Sequence, residues 1–495
     1  MGIVAKEAGR SSIALVLGLF AGTVNTVLVL PRAFEGAEEF WGLLRVLTAW
    51  SYIVAPAVMF GGAGILVRTS NKVATHLRGA LHASVWLVGF TGLSLWGLAL
   101  WLRGDWLMLQ LDGDKGGLLV DQLPLFFFMN VLVVSMNLSA ANLVVGLRTS
   151  WNAWVQEVWL KTSYLVLAAL LLFDVISLTT MLYAYVGTWV VALAAMLIGI
   201  KQAKLPFALR RLRDLDWKQN MRFGAYSSLT GGVSVVATNL DFVMVGAILG
   251  LANVPVYTMG YFVGSVVHMP QRAMTQIFSG VISKRMVNAS SPELEPFVQQ
   301  ATRVTLLLAL TVFIGVSAGL RPLISALPAA YAGITGVVLA IGLQKIFLAL
   351  PLTSNQVLSH TPHYRIGLPL NVGLLITTVI TNWLLMSYLE LGVLGAALAT
   401  LFTAIWNGTW RIVISYRKLR IRPLTATMGG MALVAGALFV ASQFIPFGWS
   451  GGHGYLEAAV NGAIAAGSML GIAYFLGWFP ELKTALQRYV FSRFS

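Results

Sequence analysis

The chain has 495 residues, of which 58% are hydrophobic and only 10% charged; it has no cysteine and a formal net charge of +15 at pH 7. Soluble domains carry about 25% charged residues, so this composition excludes an ordinary soluble enzyme. The missing cysteine excludes disulfides, thiolate metal sites and a catalytic thiol. Apolar stretches of about 20 residues, long enough to cross a bilayer, recur along the sequence, and we predict a multi-pass membrane protein.

These stretches predict an all-α protein with about fourteen transmembrane helices. The first apolar stretch follows Lys6 and Arg10 and is longer than the apolar part of a signal peptide, so we expect it to remain as a span. The predicted ranges are 11–30, 41–66, 81–103, 122–145, 155–176 and 178–200 in the first half, 223–249, 254–278, 302–320, 333–354, 366–387 and 394–413 in the second, and a last pair at 424–445 and 456–478.

Basic residues recur at a fixed interval, because Arg68 and Lys284, like Lys201 and Arg417, lie 216 positions apart. A fixed interval of this kind predicts two copies of one unit. Six helices per copy is an even number, so both copies begin on the same side of the membrane, as parallel repeats do. The predicted organisation is an N-terminal lobe over 1–200, a linker over 201–222, a C-terminal lobe over 223–423, and peripheral helices with a cytoplasmic tail over 424–495.

Most of the 33 Lys and Arg residues lie in alternate short loops and at the two ends of the chain. By the positive-inside rule, both termini are predicted to be cytoplasmic, and the net charge is explained without a nucleic-acid partner. In the basic linker, leucines recur at helical spacing opposite arginines, which predicts a short amphipathic helix at the headgroup level. A specific site for anionic lipid is a less favoured alternative. The residues are Leu205, Leu209, Leu212 and Leu215, with Arg210, Arg211 and Arg213.

The first helices of the two copies carry matching stripes of small or polar residues, each ending in one strongly polar residue. Close helix packing explains the glycines of these stripes as well as a functional role does. A carboxylate inside a span is costly and usually faces a wet cavity, which favours a functional role for Asp241. The aligned pairs are Gly18 with Ser234, Gly22 with Thr238, and Asn25 with Asp241.

Two further polar stripes have two open interpretations, since each either lines a hydrated cavity or holds helices together. The first stripe lies on the predicted helix 122–145 and the second on the predicted helix 366–387. Their residues are Ser135, Ser139 and Asn142 in the first stripe, and Asn371, Thr378 and Asn382 in the second.

Four cations fall inside apolar stretches. Lys345 lies near the middle of its predicted span, too far from either interface to reach it, which favours a function. Arg272 either reaches lipid headgroups or points into an inward cavity. Lys161 follows Glu157 by four residues, so we predict an intrahelical ion pair. Arg45 lies near the external end of its helix, where we expect it to extend to the interface.

Motifs of soluble enzymes are missing from the sequence. It contains no Gly-rich phosphate loop ending in Lys-Ser/Thr and no HExxH motif, and its six histidines are scattered. His360 and His363 share a loop but have no convincing further ligands, so no metal site is predicted. We therefore expect a transporter rather than an enzyme, without a cofactor and without ATP hydrolysis, and driven if at all by a proton or sodium gradient.

Three passages resemble a known group of transporters. They are "LVLPRAFEGAEEFWGLLRVLTAW", "NLDFVMVGAILGLANVPVYTMGYFVGSVVHMPQRAM" and "LELGVLGAALATLFTAIWN". In these passages and over nearly its whole length, the chain resembles the multidrug/oligosaccharidyl-lipid/polysaccharide (MOP) exporter superfamily, and within it the bacterial polysaccharide or O-antigen flippases.

The resemblance implies a MATE-like fold of two six-helix lobes around a central cleft. It implies a protein of the bacterial inner membrane that moves undecaprenyl-diphosphate-linked oligosaccharide from the cytoplasmic to the periplasmic leaflet by alternating access, for polysaccharide or lipopolysaccharide biosynthesis. Glycosyltransferases and a polysaccharide polymerase are the partners it implies. The predicted substrate-binding residues are Arg272, Lys345, Asn25, Ser234, Thr238 and Asn142, and the predicted ion-coupling residue is Asp241.

Three other functions compete with this prediction. A MATE-type multidrug antiporter needs cleft carboxylates, whereas the charges within these spans are mainly basic. A peptidoglycan lipid flippase of the same superfamily typically carries arginine in or just after helix 1, facing the cavity; here that helix contains Asn25, and Arg32 lies past its end. A membrane-embedded glycan polymerase or ligase usually has a large external loop, which this sequence lacks.

Overall fold

The structure is a computed structural model that describes residues 2–112, 118–272, 274–275, 278, 282, 291–359, 361, 366–446 and 453–478. Helices make up nearly all of this described part, which contains no strand. The predicted all-α fold is therefore confirmed. His360, His363 and the tail beyond residue 478 lie outside the described residues.

Eleven helices of the described part are long and apolar enough to cross a membrane, or twelve if a bent pair is counted as one span. These helices confirm a multi-pass membrane protein, while the count of fourteen stays a prediction. In chain order these eleven helices and three further, shorter ones are α1 (Gly9–Ala33), α2 (Glu38–Met59), α3 (Thr75–Trp106), α4 (Leu123–Val145), α5 (Thr149–Leu172), α6 (Leu178–Gln202), α7 (Trp217–Leu249), α8 (Asn253–Ser265), α9 (Glu295–Ser325), α10 (Ile334–Ala349), α11 (Gly367–Tyr388), α12 (Gly392–Leu419), α13 (Ala426–Ser442) and α14 (Gly454–Phe475). The three shorter helices are α8, α13, and α10, which is the first part of the bent pair.

The helices form two compact units, residues Met1–Pro255 and Val256–Ser495. In the first unit, α7 packs along α2, and α4 packs against α2, α3 and α6 around a large apolar core. In the second unit, α9 packs against α10, α13 and α14, and α12 packs against α10 and α11. The helix α7 thus lies in the first unit. The lobe boundaries predicted at the 201–222 linker remain a prediction.

The helix predicted over 41–66 is broken rather than continuous. It ends at Met59, and a second helix, Gly62–Thr69, follows the break. Phe60 and Gly61 adopt left-handed conformations with φ of 47° and 69°, which a continuing right-handed helix cannot contain. Gly61 has a second constraint, since a Cβ there would lie 2.2 Å from the backbone oxygen of Gly224 in α7.

The amphipathic helix predicted within the linker does not form. Between α6 and α7 the chain makes turns and one short 3₁₀ helix, Leu212–Asp214. Pro206 disfavours helical geometry at the preceding residue, and Lys204 and Arg211 have positive φ. The leucines instead pack inward: Leu215 is buried, and Leu205 and Leu212 pack against the core of the first unit, while Leu209 is exposed.

Candidate substrate-binding site

In the second unit, glycines bring α8 and α10 into close contact. A Cβ added to Gly260 would lie 2.6 Å from Cγ1 of Val337, and one added to Gly264 would lie 2.8 Å from the backbone oxygen of Val338. Two glycines four residues apart form a flat surface that lets helix backbones approach closely. This contact sets the larger side chains of α8 beside the polar centre of α10.

Lys345 lies at that polar centre, only 5% exposed. Its Nζ donates to the hydroxyl oxygen of Tyr261, 3.3 Å away, and lies 4.7 Å from the centre of the Tyr261 ring. Among the described residues no carboxylate forms an ion pair with it. An ammonium group has three N–H donors, and the partner seen here, the Tyr261 hydroxyl, is neutral. The structure therefore shows a buried cation without a neutralising charge among the described residues.

Two buried glutamines lie beside the backbone of this lysine. The Nε2 of Gln271 donates to the backbone oxygen of Lys345 over 2.6 Å. The side-chain oxygens of Gln271 and Gln344 are buried and find no hydrogen-bond partner in the described part of the chain. Buried polar atoms without partners are rare in folded proteins and indicate a place for water or a ligand.

Two of the predicted site residues, Lys345 and Arg272, each interact electrostatically with a third residue, His268. His268 lies in the short 3₁₀ helix Val266–His268 that follows α8. Arg272 is exposed, whereas Lys345 is buried. We call Lys345, His268, Arg272, Tyr261 and Gln271 the basic cluster.

The predicted residues Asp241 and Asn25 belong to the first unit. Asp241 is 2% exposed on α7, next to Phe242, whose ring centre lies 3.7 Å from the guanidinium carbon of Arg45. Asn25 is 3% exposed and lies in a π-helical turn of α1, Val24–Val29, with its Oδ1 unpartnered among the described residues. Such π turns are frequent at functional sites. Arg45 thus stacks on a neighbouring ring, and its predicted reach to the interface stays a prediction.

The other predicted residues of the first unit differ in their surroundings. Ser234 and Thr238 are exposed on α7, although the hydroxyl of Thr238 already donates to the backbone oxygen of Val235. Asn142 is fully buried: its Oδ1 lies 2.5 Å from Nδ1 of His82 and its Nδ2 donates to Leu138 O. Both ends of the Asn142 amide are occupied inside the unit, which favours the helix-packing interpretation of its stripe.

The glycines of the α1 stripe face α5 and not α7. A Cβ on Gly18 would clash with the backbone oxygen of Glu157 at 2.3 Å, and one on Gly22 would meet Lys161 at 3.4 Å. Close helix packing therefore accounts for Gly18, whereas a Cβ at Gly22 would make only an ordinary contact. The predicted ion pair of Lys161 with Glu157 is confirmed, with 2.5 Å between Nζ and Oε2.

The structure also contains functional candidates that the sequence interpretation missed. These candidates complete the basic cluster: His268, Tyr261 and Gln271. The four-residue spacing of Gly260 and Gly264 could have predicted that this part of the chain packs closely against another helix. Among the described residues, no group of three or more acidic residues or histidines is arranged to hold a metal ion.

The described apolar helices bury three charged residues, Asp241, Lys345 and Glu457, and comparison with solved structures identifies the fold. No protein-family profile and no curated protein match the sequence. The fold is similar to the "Lipid II flippase MurJ, inward closed conformation", with a TM-score of 0.74 and 12% identity over 95% of this chain and 99% of that chain.

Two further transporter structures are also similar. An inward-facing multidrug resistance MATE family transporter of the MOP superfamily gives a TM-score of 0.63 at 12% identity, over 82% of this chain and 94% of that one. A MOP superfamily transporter from Pyrococcus furiosus gives 0.54 at 13% identity, over 85% and 97%. The MATE-like fold is thereby confirmed, whereas the polysaccharide-flippase branch stays a prediction.

Proposed function

We propose that this protein is a flippase that moves an undecaprenyl-diphosphate-linked oligosaccharide from the cytoplasmic to the periplasmic leaflet by alternating access. The observation that carries the proposal is the basic cluster, because it buries Lys345 without a carboxylate partner among the described residues. Burying an unpaired charge is costly. An anionic substrate that reaches the cluster offsets this cost.

The chemistry of a lipid-linked sugar fits this cluster. Its diphosphate needs cations in a medium of low dielectric constant, where charge-assisted hydrogen bonds are strong. Lys345 has N–H donors left after its bond to Tyr261, and the exposed guanidinium of Arg272 adds a second positive charge nearby. The amide oxygens of Gln271 and Gln344 are available to sugar hydroxyls or to water.

The fold likeness to MurJ supports lipid II as a second candidate substrate, since it too would present a lipid diphosphate to the basic cluster. The two candidates differ at α1, where a cation facing the cavity is expected for a peptidoglycan lipid flippase. Here the π turn of α1 contains Asn25, and the guanidinium of Arg32 donates to the backbone oxygen of Leu28 at the end of the helix. For this reason we favour a lipid-linked oligosaccharide whose glycan differs from that of lipid II.

A drug antiporter fits less well. Organic cations need carboxylates where they bind, and the second unit presents a buried lysine instead. Asp241 remains as a candidate for coupling transport to a proton or sodium gradient, because a buried carboxylate binds either ion when the conformation allows access.

The substrate class can be tested with purified protein in liposomes. We expect transbilayer movement of undecaprenyl-diphosphate-linked oligosaccharide, slower movement of lipid II, and no accumulation of a cationic dye such as ethidium. Movement of lipid II alone would replace the proposed substrate by the second candidate. Dye transport without movement of either lipid would overturn the flippase proposal.

Asp241→Asn tests the proposed coupling. The substitution keeps the size of the buried side chain and removes its charge, so we expect normal membrane abundance but a transport rate that no longer responds to a proton or sodium gradient. The measurement is lipid movement in liposomes with and without each gradient.

Asp174→Asn provides the matched control. Asp174 is exposed beyond the end of α5 with φ of 56°, a conformation that asparagine also tolerates. Its gradient response should equal that of the wild type. If Asp241→Asn keeps the wild-type response as well, Asp241 has no coupling role.

A further inference from the structure

A second cation of the C-terminal unit is held entirely by amide groups. The Nε of Arg411 in α12 donates to Oδ1 of Asn407 over 2.6 Å. Its Nη1 donates to Oδ1 of Asn355 over 2.6 Å, and its Nη2 to Oδ1 of Asn371 over 2.7 Å. We call the three asparagine side chains the amide cage.

The cage joins three chain segments. Asn355 lies in the short helix Leu352–Ser359, which is bent by 44° from α10, and Asn371 lies near the start of α11. Asn407 precedes Arg411 by one turn of α12 and donates its own Nδ2 to the backbone oxygen of Leu370. The guanidinium is therefore fixed in position and in plane, unlike a basic side chain that moves freely at an interface.

The cage orients the guanidinium without neutralising it. An aspartate at any of these three positions would supply an oxygen of similar geometry together with a negative charge. All three acceptors are amides instead, so the full positive charge remains. Of the five N–H donors of a guanidinium, three bond to the cage, and the other two have no acceptor among the described residues.

Arg411 is also accessible, since its side chain is only partly buried. A guanidinium with two N–H groups left is well suited to bind the oxygens of a phosphate, because Arg and phosphate match in geometry and charge. From this geometry we infer that Arg411 and its amide cage, none of which belongs to the basic cluster, form a phosphate-binding site for a phospholipid headgroup or a free phosphate compound.

The alternative is that the cage only ties the three segments together, and Asn355→Asp separates the two roles. A carboxylate in place of the amide keeps the hydrogen bond to Nη1 and adds an ion pair, so the protein should unfold at the same or a higher temperature. Phosphate binding should be lost, because the charge of Arg411 is then neutralised. Asn371→Asp places the same charge at Nη2 and serves if the first variant does not accumulate.

Two measurements distinguish the source of the phosphate. The first is the rise in unfolding temperature of the purified protein in detergent when inorganic pyrophosphate is added, measured in a Lys345→Met background so that the diphosphate site proposed at the basic cluster does not contribute. The second is native mass spectrometry after reconstitution with phosphatidylglycerol or with phosphatidylcholine, which counts the lipids retained. Loss of the pyrophosphate response in Asn355→Asp indicates a free phosphate ligand, and loss of one retained phosphatidylglycerol indicates a lipid headgroup.

Arg417→Gln is the control, since Arg417 is an exposed cation near the end of the same helix. It should keep the wild-type response in both measurements. Equal binding of both probes by the wild type and Asn355→Asp would overturn the inference, as would a wild type that binds neither. Both readouts measure binding, so they are independent of whether the protein transports any lipid.

Discussion

Replacing Lys345 by methionine is expected to reduce movement of lipid-linked oligosaccharide by roughly tenfold to a hundredfold. A hydrogen bond to a charged group contributes about 1.5–3 kcal/mol, and each 1.4 kcal/mol changes an affinity or rate about tenfold. Methionine fills nearly the same volume but cannot bind a diphosphate. The measurement is the initial rate of lipid movement in liposomes at matched protein content.

The unfolding temperature of Lys345→Met tests whether Lys345 has only a structural role. Lys345 is a buried charge without an ion-pair partner among the described residues, so its removal should leave the unfolding temperature unchanged or raise it. Lys161→Met is the matched control, because Lys161 is a lysine within a span that is paired with Glu157 and half-exposed. Normal transport by Lys345→Met, at normal abundance, would remove the lysine from the mechanism.

Gly42→Ala is expected to destabilise the first unit by about 3 kcal/mol, at the upper end for overpacking of a core. A Cβ at Gly42 in α2 would lie 2.0 Å from the backbone oxygen of Leu251, just beyond α7. Backbone cannot move aside as a flexible side chain can, so α2 and the end of α7 must separate. Thermal unfolding in detergent, followed by the loss of the monodisperse peak, measures the effect.

The control is the same substitution in open space. Gly187 lies inside α6, and a Cβ there would meet no atom within 4 Å. Gly187→Ala should be neutral or should stabilise the helix by about 0.5–1 kcal/mol, since glycine is the more flexible residue. Equal unfolding temperatures for the two variants would contradict the close contact between Gly42 and Leu251.

Apolar length was sufficient to predict most of the fold. The predicted helix 178–200 differs from α6 by two residues at its end, and the serine before that helix, Ser177, caps it by accepting from the backbone N–H of Thr180. The break at Phe60 and Gly61 was missed because hydropathy does not register backbone conformation, although the "FGGAG" sequence carries a turn signal. The prediction of a linker helix was wrong because it relied on the leucine spacing and gave too little weight to Pro206.

Single residues of the candidate site were predictable where the free-energy cost of a charge in an apolar span singles them out. Lys345 and Asp241 are conspicuous in apolar sequence, and the structure buries both. Their surroundings were not predictable, because His268 and Tyr261 reach Lys345 through the packing of two helices. The amide cage was not predictable either, since two of its three asparagines lie 56 and 40 positions before Arg411 and resemble ordinary helix-packing residues in sequence.

The placement of α7 has a consequence for how such a chain can be assembled. The predicted repeat assigns this helix to the second copy, yet it packs along α2 in the first unit. If the protein were divided into two polypeptides in the turns after α6, the first polypeptide would lack α7. The second polypeptide would carry that helix. Two separately encoded halves would therefore be expected to associate, because α7 of the second polypeptide would still pack along α2 of the first.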